Sequence, residues 1–82
     1  MMVPTIHLNG TSRQELLDGY VVALSAVCDA LIAVGKSYPN GRDYYVQGPD
    51  ATHKAMEEHR SRLERLKSVR DELNTIAEEI SL

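Results

Sequence analysis

Apolar positions along the chain change period twice. From Met2 to Asn9 they alternate, with Met2, Pro4, Ile6 and Leu8 opposed to Val3, Thr5, His7 and Asn9. A period of two predicts a short extended segment with one mainly apolar face. Pro4, which lacks an amide donor, restricts it to an edge or a strand start. Asn9-Gly10 ends that pattern, and Thr11/Gln14 and Ser12/Glu15 follow at overlapping capping-box spacings, which predict a helix starting at Ser12 or Arg13. From there to about Gly35 the period is helical. Leu17, Tyr20, Leu24, Val27, Leu31 and Val34 form one seam, and Leu16, Ala23, Ala26, Ala30 and Ala33 extend it onto a neighbouring face. Val21, Val22, Cys28 and Ile32 fall outside that stripe, and Asp18, Ser25, Asp29 and Lys36 share the single polar line. A helix apolar on nearly every side is buried on several sides, which one partner helix cannot supply, so the pattern predicts self-association.

A second helix is predicted after Pro49, capped by Asp50 and running to about Ile80. His59, Leu63 or Arg62, Leu66, Val69, Leu73, Ile76 and Ile80 recur at alternating steps of three and four, a coiled-coil-like seam. The opposite side is densely charged, with Glu58/Arg62 and Arg60/Glu64 at i,i+4 spacing, each pair contributing about 0.2–0.5 kcal/mol. Arg60, Arg65, Lys67 and Arg70 read first as a solvated face. The expected fold is therefore mainly α: one domain, residues 1–82, made of a long antiparallel two-helix hairpin with a short N-terminal extended segment, and oligomeric. Its parts are an arm at 1–11, helix 1 at 12–36, a loop at 37–49 and helix 2 at 50–80.

Size and charge narrow the partners. A chain of 82 residues buries only about 60% of its unfolded surface. Its single cysteine excludes an internal disulfide, which leaves association as the remaining source of stability. Met1–Leu8 has neither a basic start nor a continuous apolar core, so a signal peptide is not expected and a reducing cytosol is. The apolar run Tyr20–Val34 is shorter than a membrane span and contains Asp29, which argues against a membrane partner. The formal charge of -3 divides unevenly: +3 over residues 54–70 and -4 over 71–82. A duplex-binding protein needs a broad basic face, so duplex nucleic acid is not an expected partner. A local basic band suits a small anionic ligand.

The chemistry lies in the connections. Pro39-Asn40-Gly41-Arg42-Asp43-Tyr44-Tyr45-Val46-Gln47-Gly48-Pro49 is richer than a spacer needs to be. Arg42 offers a permanently charged planar fork, and Tyr44 and Tyr45 offer rings and hydroxyls. Were Tyr44–Gln47 extended, Tyr44 and Val46 would face one way and Tyr45 and Gln47 the other, one face packing and one meeting a ligand. The simpler reading has the tyrosines plugging the end of a hairpin. The second candidate is Leu8-Asn9-Gly10-Thr11-Ser12-Arg13, where a helix N-terminus with free amides, Thr11 and Ser12 hydroxyls and the Arg13 charge could hold a phosphate; ordinary capping explains the same residues. In one antiparallel hairpin these two segments lie at opposite ends, so a neighbouring subunit would have to unite them. His53 and His59 are about 240° apart on a helix and cannot chelate together, so no metal or other cofactor is expected. There is no G-x-S-x-G, H-E-x-x-H or P-loop, and an enzyme is not expected.

Ile6-His7-Leu8-Asn9-Gly10-Thr11-Ser12, the Pro39–Gly48 segment, and Glu58-His59-Arg60 with its leucine-rich tail together resemble a family of small phage and prophage proteins, over nearly the whole chain. By size, context and site chemistry such proteins are similar to anti-defence sponges, which sequester cyclic nucleotide immune signals of the bacterial host without cleaving them. The resemblance implies capture of a small phosphorylated ligand, a cyclic oligonucleotide or a cyclic ADP-ribose-type signal. Arg42 and Arg13 would hold phosphate, Tyr45 or Tyr44 would stack on a base, and Gln47, Asn9 and Thr11 would add polar contacts. The alternative is a helical-hairpin interaction module that inhibits or regulates a bacterial or phage protein.

Overall fold

A computed structural model describes all 82 residues. Two long helices dominate it: α1, Arg13–Lys36, and α2, Ala51–Ser81. Two short 3-10 turns, η1 at Gly41–Asp43 and η2 at Tyr45–Gln47, lie between them. The helical pattern read from the sequence is thus reproduced to within a residue at each end. Ser12 caps α1, its Oγ accepting from the Glu15 amide at 3.2 Å. The expectation for α2 needs correction. Asp50 flanks the helix with φ -98 and ψ -2, already helical, and its side chain caps nothing. The chain is instead turned into α2 by Gly48, the one residue at positive φ (123°).

The N-terminal arm forms no strand. Its alternation corresponds neither to pairing nor to a packed face, since Met2, Ile6 and Leu8 are exposed. A strand needs a neighbouring ladder for its backbone groups, and the chain contains no second strand to provide one. Val3 and Pro4 are half-buried, and Met1 lies beside Glu64, Ser68, Asp71 and Thr75 of α2. A turn closed by the Gly10 amide on the His7 carbonyl, 3.1 Å, then leads into α1.

The helices pack side by side as a helical hairpin. Tyr38 meets His59 edge to face, with ring centroids 5.4 Å apart and planes at 82°. Val34 lies near Leu66, and Leu24 and Cys28 lie near Arg70 and Asn74. Every member of the first seam, Leu17 to Val34, is half-buried, as are Leu16, Ala23 and Ala30; Ala26 and Ala33 are exposed. On α2, His59, Ile76 and Ile80 are buried, and Leu63, Leu66 and Leu73 half-buried. Val69 is 44% exposed, while the half-buried Arg70 occupies the next inward position. Its aliphatic stem can cover apolar surface while the charged head reaches outward to Asp71 at 3.0 Å.

The interior is thin. No α1 residue is fully buried, and Val21, Val22 and Ile32 are 59%, 70% and 59% exposed. The chain exposes 6139 Å², where a compact protein of its mass exposes about 4,900 Å². Its radius of gyration is 18.3 Å and its longest dimension 61 Å, against a radius of about 12 Å for a compact domain of this length. By length and composition α1 could also cross a membrane: an 18-residue window has mean hydropathy 1.8. The apolar run Tyr20–Val34 is too short for a span, but the full helix is long enough.

Candidate functional site

The loop is built by two consecutive 3-10 turns. The Asn40 side chain caps the first, its Oδ1 accepting from the Arg42 amide at 3.0 Å. The Asp43 and Tyr44 amides donate to the Asn40 and Gly41 carbonyls, and the Gln47 and Gly48 amides to those of Tyr44 and Tyr45. Here the structure overturns the alternating, extended picture of Tyr44–Gln47. Three residues per turn replace the period of two, so Tyr44 turns inward and is half-buried while Tyr45, Val46 and Gln47 are all exposed, Tyr45 by 70% and Val46 by 74%. Local hydrogen bonding decided this outcome: Asn40 offers an Asx-type cap, and no adjacent strand competes for the amides.

Arg42 is exposed, and its guanidinium makes neither an ion pair nor a hydrogen bond. Tyr45 is likewise largely exposed. The fold therefore uses the backbone of this loop and leaves two of its chemically versatile side chains unengaged. Tyr44, Gln47, Gly48, Pro49, Asp50, Lys54 and Glu58 line an open depression of about 440 Å³. Tyr44 and Gln47 are thus brought together; Arg42 and Tyr45 stand outside the depression. Lys54 was not among the expected contacts, although its place one turn after Pro49-Asp50 puts its ammonium by the start of α2. The Thr52 and His53 amides at that start have no acceptor within the chain.

The second segment lies elsewhere. Asn9, Thr11 and Arg13 are exposed at the start of α1, and the 24 residues of α1 separate Arg13 from the loop by about 36 Å at 1.5 Å per residue. One copy of the chain does not unite the two segments. Gly10 is closely covered, since a Cβ there would lie 2.7 Å from Nε2 of the exposed His7.

The basic band of α2 is only partly the solvated face expected. Glu58 pairs with Arg62 at 3.6 Å, as the spacing implies, whereas Glu64 pairs with Lys67 at 3.6 Å rather than with Arg60. Arg62 and Arg65 border a second depression, about 450 Å³, with Val34, Leu66 and Val69. The mixed spacing of cations and apolar residues there is a signal the sequence carried. His53 pairs with Glu57 at 3.0 Å, and no group of three metal-ligating side chains converges.

His59 is the one buried polar residue, 4% exposed, and its Nε2 has no hydrogen-bond partner. Comparison with protein-family models, curated proteins and solved structures gives no match.

Proposed function

We propose that this protein binds a small phosphorylated ligand and holds it without chemical change, as an antiparallel helical hairpin working in a cytoplasmic homo-oligomer. The ligand class is a cyclic oligonucleotide or cyclic ADP-ribose-type immune signal, and the biological role is that of a phage anti-defence sponge. The observation that carries the reading is the presentation of Arg42 and Tyr45. A guanidinium without an ion pair and a largely exposed phenol ring project from a backbone held by two hydrogen-bonded turns and the Asn40 cap. Arginine and tyrosine are suited to phosphate and base: charge-assisted hydrogen bonds to the one, and stacking of about 1–3 kcal/mol per base on the other. Gln47, Tyr44, Asn9, Thr11 and Arg13 complete the proposed contacts. Binding and not hydrolysis fits a chain without an activated nucleophile or a convergent ligand set for a metal.

The oligomer follows from the surface left open, above all on α1. A membrane would cover the same face, but α2 carries Arg65 beside Val34 and Arg70 and Asp71 beside Leu24 and Cys28, and carrying those charges into a bilayer is expensive. Thermal-shift screening against cyclic dinucleotides, cyclic trinucleotides and cyclic ADP-ribose isomers tests the function. The expected result is a rise in melting temperature with one class, and recovery of that ligand intact after heat release. Absence of any shift, together with capture of a defined host or phage protein, would establish the interaction-module reading in its place.

A further inference from the structure

The side of α1 turned away from α2 has a pattern of its own. Asp18, Val22, Ser25, Asp29, Ile32 and Lys36 follow one another at steps of four and three, so they fall within about 40° of a single line on the helix. All six are exposed. Read backwards, the line matches itself: the numbers of Asp18 and Lys36, Val22 and Ile32, and Ser25 and Asp29 are placed symmetrically about position 27. Two copies of α1 laid antiparallel with a two-fold axis at that level set carboxylate against ammonium, valine against isoleucine, and hydroxyl against carboxylate. Val21 and Cys28, both exposed on one flank, add apolar surface beside the axis.

Neighbouring registers are worse. Sliding one heptad in one direction puts Asp18 level with Asp29 of the second copy, like charge on like. Sliding the other way puts Ile32 against that carboxylate. Like charges and unpaired carboxylates at an interface act against the wrong alignment. The chain as a whole exposes about 1,200 Å² more than a compact protein of its mass, and a standard interface takes about 800 Å² from each partner.

The same register has a consequence for the candidate site. If Asp18 is level with Lys36 of the second copy, the Asn9–Arg13 turn lies level with residues just past that lysine, where the loop begins. We propose that the outer line of α1 is a two-fold interface with a second copy of this chain, and that it assembles the Asn9–Arg13 turn of one copy with the Arg42–Gln47 loop of the other into a shared nucleotide site at each end. This rests on the proposed ligand reading for the chemistry of the site, and on the exposed α1 line for the interface.

Charge reversal tests it, with subunit number read by light scattering at micromolar concentrations. Asp18→Lys and Lys36→Asp each place like charges level, and each is expected to weaken association about tenfold. The double variant, or an equimolar mixture of the two single variants, is expected to restore it. Val22→Glu, at a position 70% exposed in the single chain, leaves helicity unchanged and weakens association about a hundredfold by burying a carboxylate against isoleucine. A monomeric wild type, or an oligomer unaffected by Val22→Glu or by either charge reversal, overturns the interface. Calorimetry with cyclic nucleotides on the same variants separates interface from ligand. Ligand affinity that falls with association and returns in the double variant supports the shared site. Affinity independent of association overturns the sharing, and association that obeys the charge rules without any nucleotide binding removes the ligand reading while the interface stands.

Discussion

At the loop, side chains divide by whether the fold uses them. Arg42 and Tyr45 have no packing role to lose, so Arg42→Ala and Tyr45→Ala should leave the melting temperature nearly unchanged. The proposed phosphate contact would be a charge-assisted hydrogen bond of roughly 1.5–3 kcal/mol, so Arg42→Ala should weaken ligand binding by about ten- to a hundredfold in calorimetry. Tyr44 is half-buried, and Tyr44→Ala should lower the melting temperature. An Arg42→Ala protein that unfolds, or unchanged affinity in both exposed-residue variants, makes the loop structural. His59 presents the opposite case. Its ring is buried against Tyr38, yet its Nε2 is unpartnered. Truncation by His59→Ala opens a cavity and should reduce stability by about 2–3 kcal/mol in urea unfolding. His59→Met fills the volume without the orphaned nitrogen and should cost less than about 1.5 kcal/mol. Equal losses in the two variants would mean that the imidazole nitrogen is paired in solution.

Among the elements, the joints are more discriminating than the helices. Gly48 has φ 123° and ψ 167°, and a β-carbon there would meet no atom within 4 Å; the conformation itself is open essentially to glycine alone. Gly48→Ala therefore acts through the backbone and should destabilise by about 1–3 kcal/mol. Gly41, whose added methyl would rest 3.7 Å from Thr52 Cγ2, should accept alanine at less than about 0.5 kcal/mol. Thermal melts of the pair give a direct comparison. Ser12→Ala removes the cap of α1 and should cost about 1 kcal/mol. These joints also mark where the amino-acid pattern was informative. Both helices and the α1 seam were legible because a periodic apolar stripe constrains dozens of residues together, and the Ser12 cap because its spacing is local. The loop was legible as chemistry but not as shape. Whether Tyr44–Gln47 extends or coils depends on whether a neighbouring strand competes with Asn40 and the local carbonyls for the amides, and alternation in the arm suggested a strand where none pairs. Val69 fell in the seam by count, but its place went to Arg70, whose long stem can lie along the apolar side.

As a whole the molecule is a rod with two ends and little interior. With three buried residues, a separate copy is marginal, and stability should depend on protein concentration. The melting temperature is expected to rise as concentration increases over the micromolar range, because association stabilises only the folded form. A melting temperature that is independent of concentration, in a monodisperse sample at 9.1 kDa, would mean that one hairpin is sufficient. The open depressions beside Lys54 and beside Arg62 and Arg65 lack an enclosing wall.

The length of α1 carries one more consequence. Because its 24 residues hold Arg13 and Arg42 at opposite ends of one copy, a shared site draws each arginine from a different polypeptide. Two defective alleles then complement. Neither Arg13→Ala nor Arg42→Ala chains alone form an intact site, but co-expressed in equal amounts they do so wherever the first half comes from one parent and the second half from the other. With random pairing, about one site in four is whole, so a strain producing both proteins recovers about a quarter of the binding capacity at wild-type affinity. Strains producing either protein alone recover none.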